Sequence, residues 1–367
     1  MGLMQPAPSA QRFFLLDALR GLAAFAVVLR HEDLFFGAFS LPESYLVVDL
    51  FFGLSGFVLA HTYERKLVEG LSPWRFILSR FIRFYPLYIL GTLAGIVTHF
   101  ALFAMHGEHL RDPSLWLSSL SALFLLPGYG GSWGEGLYPI NVPVWMLLFE
   151  LAANAVYALA IRYRMAGNRP LLGFVAVCGV WLVAAASSSS TLNLGWDWDT
   201  VGAAFPRACF SFFLGVLLYR HWSKAERRPL QGGQGIAASL GIAICLYTLM
   251  SLAPSREWQL YYDILVGMLV FPALIYVGAS VRMGPRLAAV ASFLGLVSYA
   301  IYVLHVPFFG SVKVGFAMLS GQSVGAFAPW GGIAVFACLA LVSKFLEAYY
   351  NVPLRNWILA RVFPAQR

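Results

Sequence analysis

Ten apolar stretches, each close to the length of a bilayer crossing, run through this 367-residue chain with mostly short connections between them. They fall near residues 13–31, 45–63, 84–104, 143–162, 171–187, 204–221, 235–252, 262–280, 291–311 and 327–348. A helix rises 1.5 Å per residue, so about 20 residues cross a hydrocarbon core of ~30 Å. Lipid offers no partner to a free peptide N–H or C=O, and a helix satisfies these groups within the segment. Charged residues make up only 11% of the chain, against about 25% in a soluble domain, and the mean hydropathy is +0.73. The expected fold class is therefore an all-α, polytopic membrane helix bundle of about ten transmembrane helices.

The basic residues fix an expected orientation. Arg65, Lys66, Arg75, Arg80 and Arg83 follow the second stretch, and Arg162, Arg164 and Arg169 follow the fourth. Arg220, Lys224, Arg227 and Arg228 follow the sixth, Arg282 and Arg286 the eighth, and Arg355, Arg361 and Arg367 come last. The alternate connections carry only Arg111, Arg256 and Lys313. Basic loops stay in the cytoplasm, so both termini belong there. Residues 1–12 then form a cytoplasmic N-terminal segment, 13–348 a ten-span membrane domain, and 349–367 a cytoplasmic tail. Topology accounts for the net charge of +8; membrane lipid, not nucleic acid, is the expected partner. The first stretch holds Asp17 and Arg20 and lacks a small-residue cleavage site, so it is expected to be retained as a helix.

Smaller signals fill in the connections. Cys178, Cys209, Cys245 and Cys338 lie scattered in apolar surroundings and are expected as small hydrophobes. The long connection 105–142 contains PSLWLSSLSALFLLP, too short to span and suited to an interfacial helix, then a Gly/Pro-rich irregular part. His106 and His109 have ligand spacing but no third ligand nearby, so no metal is expected. Asp197 and Asp199 are expected as plain loop polars, and Gly56 of Ser55-Gly56 as a site of close helix approach.

Ionisable residues inside the stretches carry the chemistry, because each is costly in lipid and tends to be functional. Arg20 and His31 lie eleven residues apart in LLDALRGLAAFAVVLRH, roughly 16 Å along a helix. The topology places Arg20 toward the cytoplasm and His31 near the outer end. It also places Asp49, Glu150 with Trp145, and His305 with Tyr302 in outer halves of their spans, so His31, Asp49, Glu150 and His305 are expected at one depth, facing one another. Arg80 and Arg83, with Asp17 and Arg20, sit on the inner side. Guanidinium groups there suit a phosphorylated cytosolic ligand, or simply anchor the helix ends.

In order along the chain, FLLDALRGLAAFAVVLRH, VVDLFFGLSGFVLA, LSRFIRFYPLYILG, NVPVWMLLFE, FFLGVLLY and LGLVSYAIYVLHVP resemble the membrane-bound acyltransferase-3 family, which acylates extracytoplasmic sugars and some other acceptors. The resemblance runs from residue 13 to about 310. One position departs from it: Met146 stands where the family commonly has Ser in Trp-Ser-Leu. The resemblance implies an acyl-CoA donor, acetyl-CoA above all, taken from the cytoplasm as a co-substrate with no bound cofactor. It also implies a hydroxyl acceptor, and functional roles for Arg20, His31, Arg80, Arg83 and Glu150.

The expected activity is O-acyl transfer to a carbohydrate, a surface polysaccharide or its lipid-linked precursor, in a bacterial inner membrane. His31 would be the base, oriented by Glu150 or Asp49. Arg20, Arg80 and Arg83 would bind the donor, while Asp17, Ser55, Trp145, Tyr302 and His305 are candidate lining residues. Acylation of a cytosolic small-molecule glycoside and membrane transport are the alternatives; no internal repeat supports the latter. The sequence carries no signal for oligomeric state.

Overall fold

The computed structural model describes residues 11–106 (with side chains to 102), 113–129, 136–226 and 228–363. It is about 81% helical, with no β-strand among the described residues. Ten long helices dominate: α1 (Phe14–His31), α2 (Val47–Val68), α3 (Pro73–His106), α4 (Trp145–Arg162) and α5 (Asn168–Ser189), then α6 (Val201–Lys224), α7 (Gly232–Ser251), α8 (Gln259–Ala279), α9 (Pro285–Ser320) and α10 (Trp330–Val362). Among the described residues, α2 to α10 are long and apolar enough to cross a membrane. Helix α1 has 18 residues but carries Asp17, Arg20 and Arg30. Its length still amounts to about 27 Å.

Every expected stretch falls on one of these helices, but the helices run further than the apolar runs. Helix α3 begins at Pro73, so Arg75, Arg80 and Arg83 lie on its first turns. Hydropathy detects only the lipid-matched part of a helix, and the backbone continues wherever neighbours support it. The same holds at the end of the chain. Residues assigned to a tail from 349 continue α10 to Val362, through a wide π-type turn at Glu347–Asn351. The expected short helix of the long connection is present at Pro113–Leu123, with Leu115 buried and Trp116, Leu117 and Leu120 exposed. His109 and the side chain of His106 lie outside the described residues.

Small residues let the helices meet closely, as expected where lipid supplies no hydrophobic drive for association. The most extensive packing is α1 on α9 and α2 on α6. A Cβ at Gly56 of α2 would overlap the Phe212 carbonyl of α6, and one at Gly215 would overlap the Gly53 carbonyl. On the other side, a Cβ at Gly21 would meet Leu294 of α9 at 2.5 Å.

Where α2 meets α6, the contact is also ionic. Arg207, 1% exposed, reaches Asp49, 3% exposed. Its Nη2 lies 2.7 Å from Asp49 Oδ2, and Nε lies 3.1 Å from each carboxylate oxygen. Arg207 also donates to the carbonyls of Leu194 and Tyr45, and Ser211 donates to Asp49. A second buried acid, Asp263 of α8, accepts from Tyr45, Thr191, Gln259 and the Leu192 amide. Together they pin the 190–200 connection and the short helix Pro42–Leu46 to the bundle. Asp197 accepts from the amide and hydroxyl of Thr200, so its role here is to start α6.

Two stability predictions follow from this packing. Gly56→Ala and Gly215→Ala force backbone apart and should each lower the melting temperature in detergent, by an overpacking cost of about 1–3 kcal/mol or more. Gly173→Ala, with nothing within 4 Å of the new Cβ, should be neutral or stabilising. Asp49→Asn should cost about 3–5 kcal/mol by stranding Arg207 as an uncompensated buried charge. Asp49→Leu/Arg207→Met should recover much of that loss, though not all, since two carbonyls lose their donor. Wild-type melting in the Asp49→Asn single variant would refute the lock.

Candidate active site

Two cavities are built along α1, one at each end. The first, of about 350 Å³, lies on the arginine-rich side and is lined by Arg12, Arg20, Ser55, Arg80, Arg83, Met146 and Glu150, among others. Arg20 is half-buried and held in place: Nε donates to Ser298 Oγ at 2.9 Å, and Nη2 donates to the Gly295 carbonyl at 2.8 Å and to Asp17 at 3.2 Å. Asp17 also takes Arg12 Nε at 2.9 Å. Arg80, 6% exposed, pairs with Glu150 Oε1 at 3.3 Å, and the same oxygen accepts from Ser55 at 2.6 Å. The Arg80 guanidinium lies over the Phe84 ring, 5.0 Å from its centroid.

The second cavity, of about 490 Å³, is lined by Arg30, His31, Tyr45, Trp145, Asn193, Trp196, Arg207 and Tyr302, among others. His31 is exposed at the end of α1, with its ring 5.5 Å from that of His305. His305 is fully buried. Its Nδ1 sits 2.8 Å from the Tyr302 carbonyl and 3.1 Å from that of Ile301. Carbonyl oxygens only accept, so this nitrogen carries the hydrogen. Nε2 has no partner among the described residues. Arg30 donates to the Pro42 carbonyl at 2.7 Å and stacks over Tyr45.

One side chain belongs to both cavities. Tyr302 lines each, and its hydroxyl donates to the Pro143 carbonyl. Asn141 donates to the Val303 carbonyl at 2.8 Å, so the start of α4 is tied to α9 on either side of that contact. As a result, adjacent residues of α4 face different spaces: Trp145 lines the outer cavity and Met146 the inner one.

The expectation of four titratable groups facing one another at one depth is corrected. His31 and His305 are neighbours. Glu150 stands instead in the inner cavity, bound to Arg80 and Ser55, so it cannot orient the imidazole. Asp49 is occupied by Arg207 and holds two helices together. Both acids pair with arginines, because an ion pair buried between helices must close on itself. Arg207 and Arg30 also line the outer cavity, and their signal in the sequence is the one that singles out Arg20, an ionisable residue in an apolar stretch.

The family profile described as an acyltransferase domain, Acyl_transf_3, matches residues 14–346. "Protein 2 in picA locus" of Rhizobium radiobacter is 43% identical over 158 residues, which cover 40% of this chain and 82% of that protein. No solved structure matches. With nearly the whole chain inside the family profile and its helices long and apolar enough to span, the chain belongs to the acyltransferase-3 family of multi-pass membrane acyltransferases.

Proposed function

We propose that this protein transfers an acetyl group from acetyl-CoA to a hydroxyl of a carbohydrate, a cell-surface polysaccharide or its lipid-linked precursor, in a bacterial inner membrane. The observation that carries this reading is the pair of cavities on α1, arginine-lined at one end and imidazole-lined at the other, meeting at Tyr302. Arg20 and His31 are roughly 16 Å apart along the helix, about the reach of an extended pantetheine arm. The charge pattern supports placing the arginine cavity on the cytoplasmic side, where acyl-CoA is made, and the imidazole cavity on the side of the acceptor.

The chemistry divides accordingly. Arginine forks of the inner cavity hold the donor's phosphates. The arm passes between α2, α4 and α9 and delivers the thioester beside Tyr302. In the outer cavity, neutral His31 takes the proton of the acceptor hydroxyl as its oxygen attacks the thioester carbonyl. The C–S bond breaks, the ester forms, and the imidazolium returns the proton to the departing thiolate. Among the described residues no carboxylate pairs with His31, so the neighbouring His305 ring and the thiolate itself face the developing charge.

The test uses purified protein in nanodiscs, recording acetyl-CoA binding and CoA release in the same samples. His31→Ala should keep donor binding and lower turnover by about 10²–10⁴-fold, the usual worth of a general base. Arg83→Ala should weaken donor binding without loss of stability, since Arg83 is unpaired among the described residues. Near wild-type turnover by His31→Ala would refute the base, and well-folded wild type that binds no acetyl-CoA would refute the donor.

A further inference from the structure

Helix α10 lies beyond every motif that marks the family resemblance, yet it forms part of the inner cavity. Glu347, Asn351 and Arg355 all line it. They are spaced four residues apart, which sets them on one face of a helix, and the wide turn at Glu347–Asn351 lies at the start of that face. π-type turns of this kind occur frequently at functional sites. The far end of α10 is fixed to the first turn of α3, where the Arg75 guanidinium lies 5.8 Å from the Phe363 ring centroid. The helix carrying Arg80 and Arg83 and the helix carrying Arg355 therefore form two walls of one basin.

The charges in that basin do not balance. Five arginines line it (Arg12, Arg20, Arg80, Arg83 and Arg355) against two glutamates, Glu150 and Glu347. Arg12 and Arg20 share Asp17, and Arg80 takes Glu150. Glu347 accepts instead from Asn351 Nδ2 at 2.7 Å. Among the described residues, Arg83 and Arg355 are left as the cavity's cations without an acid. They lie on adjoining helices, α3 and α10. Asn351 is 2% exposed, and its Oδ1 has no partner among the described residues. The two arginines without an acid suit the anionic groups of a ligand, and the buried Asn351 acceptor suits a hydroxyl or amine donor on the same ligand.

A coenzyme A thioester carries phosphate at two separated places, the diphosphate next to the pantetheine arm and a monoester on the ribose. The arm must run inward toward His31, so the diphosphate lies on the α3 wall beside Arg83 and buried Arg80. The ribose phosphate then projects away from the arm, toward the other wall. Resting on the donor assignment above, we propose that Arg355 binds the 3′-phosphate of the donor and makes this cavity selective for coenzyme A over its 3′-dephospho form. Arg355 thereby becomes a specificity-determining residue supplied by the last helix.

The experiment compares binding of acetyl-CoA and 3′-dephospho-acetyl-CoA to the full chain in nanodiscs, for wild type, Arg355→Gln and Arg355→Lys. Wild type should prefer acetyl-CoA by about tenfold or more, the worth of one charge-assisted phosphate contact. Arg355→Gln should lose that factor for acetyl-CoA and leave the dephospho form unchanged, while Arg355→Lys keeps part of the preference. Removing Arg355 strands no acid among the described residues, so the melting temperature should hold in both variants. Equal binding of the two donors by wild type, or an equal loss for both donors in Arg355→Gln, would overturn the subsite while leaving the donor reading intact. Wild type that binds neither donor would overturn the donor reading, and the subsite with it.

Discussion

Charge buried between helices must be cancelled on the spot, and this single constraint organises the bundle. An unpaired ion in a low-dielectric interior is costly, and breaking one half of a buried pair costs about 3–5 kcal/mol. Asp49 and Arg207 answer that constraint where α2 meets α6, and Arg80 and Glu150 answer it where α3 meets α4. Each pair ties together helices distant in sequence and so fixes which faces turn inward. At the α2–α6 seam, Gly56 and Gly215 bring the backbones close enough for the Asp49–Arg207 pair to form. With those pairs closed, Arg83 and Arg355 are the inner cavity's lining cations left without an acid among the described residues.

The arrangement also explains how one helix serves two compartments. Helix α1 carries Arg20 toward one cavity, with Arg12 just ahead of the helix, and Arg30 and His31 at its other end toward the second. Its packing against α9 places Tyr302 between the two cavities. The tyrosine is held by the start of α4 through Pro143, and Asn141 repeats the tie one residue further along α9. The Tyr302 ring packs edge-on against Phe51, with centroids 5.5 Å apart, so the boundary is apolar on the face that a thioester arm would meet.

Much of this was legible in the sequence. Ten apolar runs announced the helices, because lipid imposes a length and a composition that few other constraints can imitate. Arg20, Arg80, Arg83 and His31 stood out because charge in such runs is rare. What stayed hidden was pairing. Depth along a helix can be read from position, but azimuth cannot be read reliably in a chain whose helices are apolar nearly all round, as α2 is. Position along the helix therefore groups Glu150 and Asp49 with His31, although they face Arg80 and Arg207. The end of α10 was hidden for a different reason: Glu347, Asn351 and Arg355 interrupt the apolar run, and a hydropathy reading ends the span where the cavity wall begins.

The separation of Glu150 from His31 constrains the chemistry more than any single contact. In the familiar arrangement of a catalytic histidine, a carboxylate fixes the ring and offsets the positive charge it gains. Here the ring beside His31 is another imidazole, whose Nδ1–H is spent on backbone carbonyls and whose Nε2 has no partner among the described residues. A bare acceptor can take a hydrogen bond from a protonated neighbour across a substrate or a water, and it can do so without adding a fixed negative charge to the membrane interior. Under the proposed reaction, the imidazolium lasts only until the thiolate leaves, so a permanent counter-ion would have to be desolvated throughout the cycle for a charge present briefly. A neutral partner is the less costly solution in hydrocarbon, and it leaves the carboxylates free for the work they are seen to do, which is holding arginines in place.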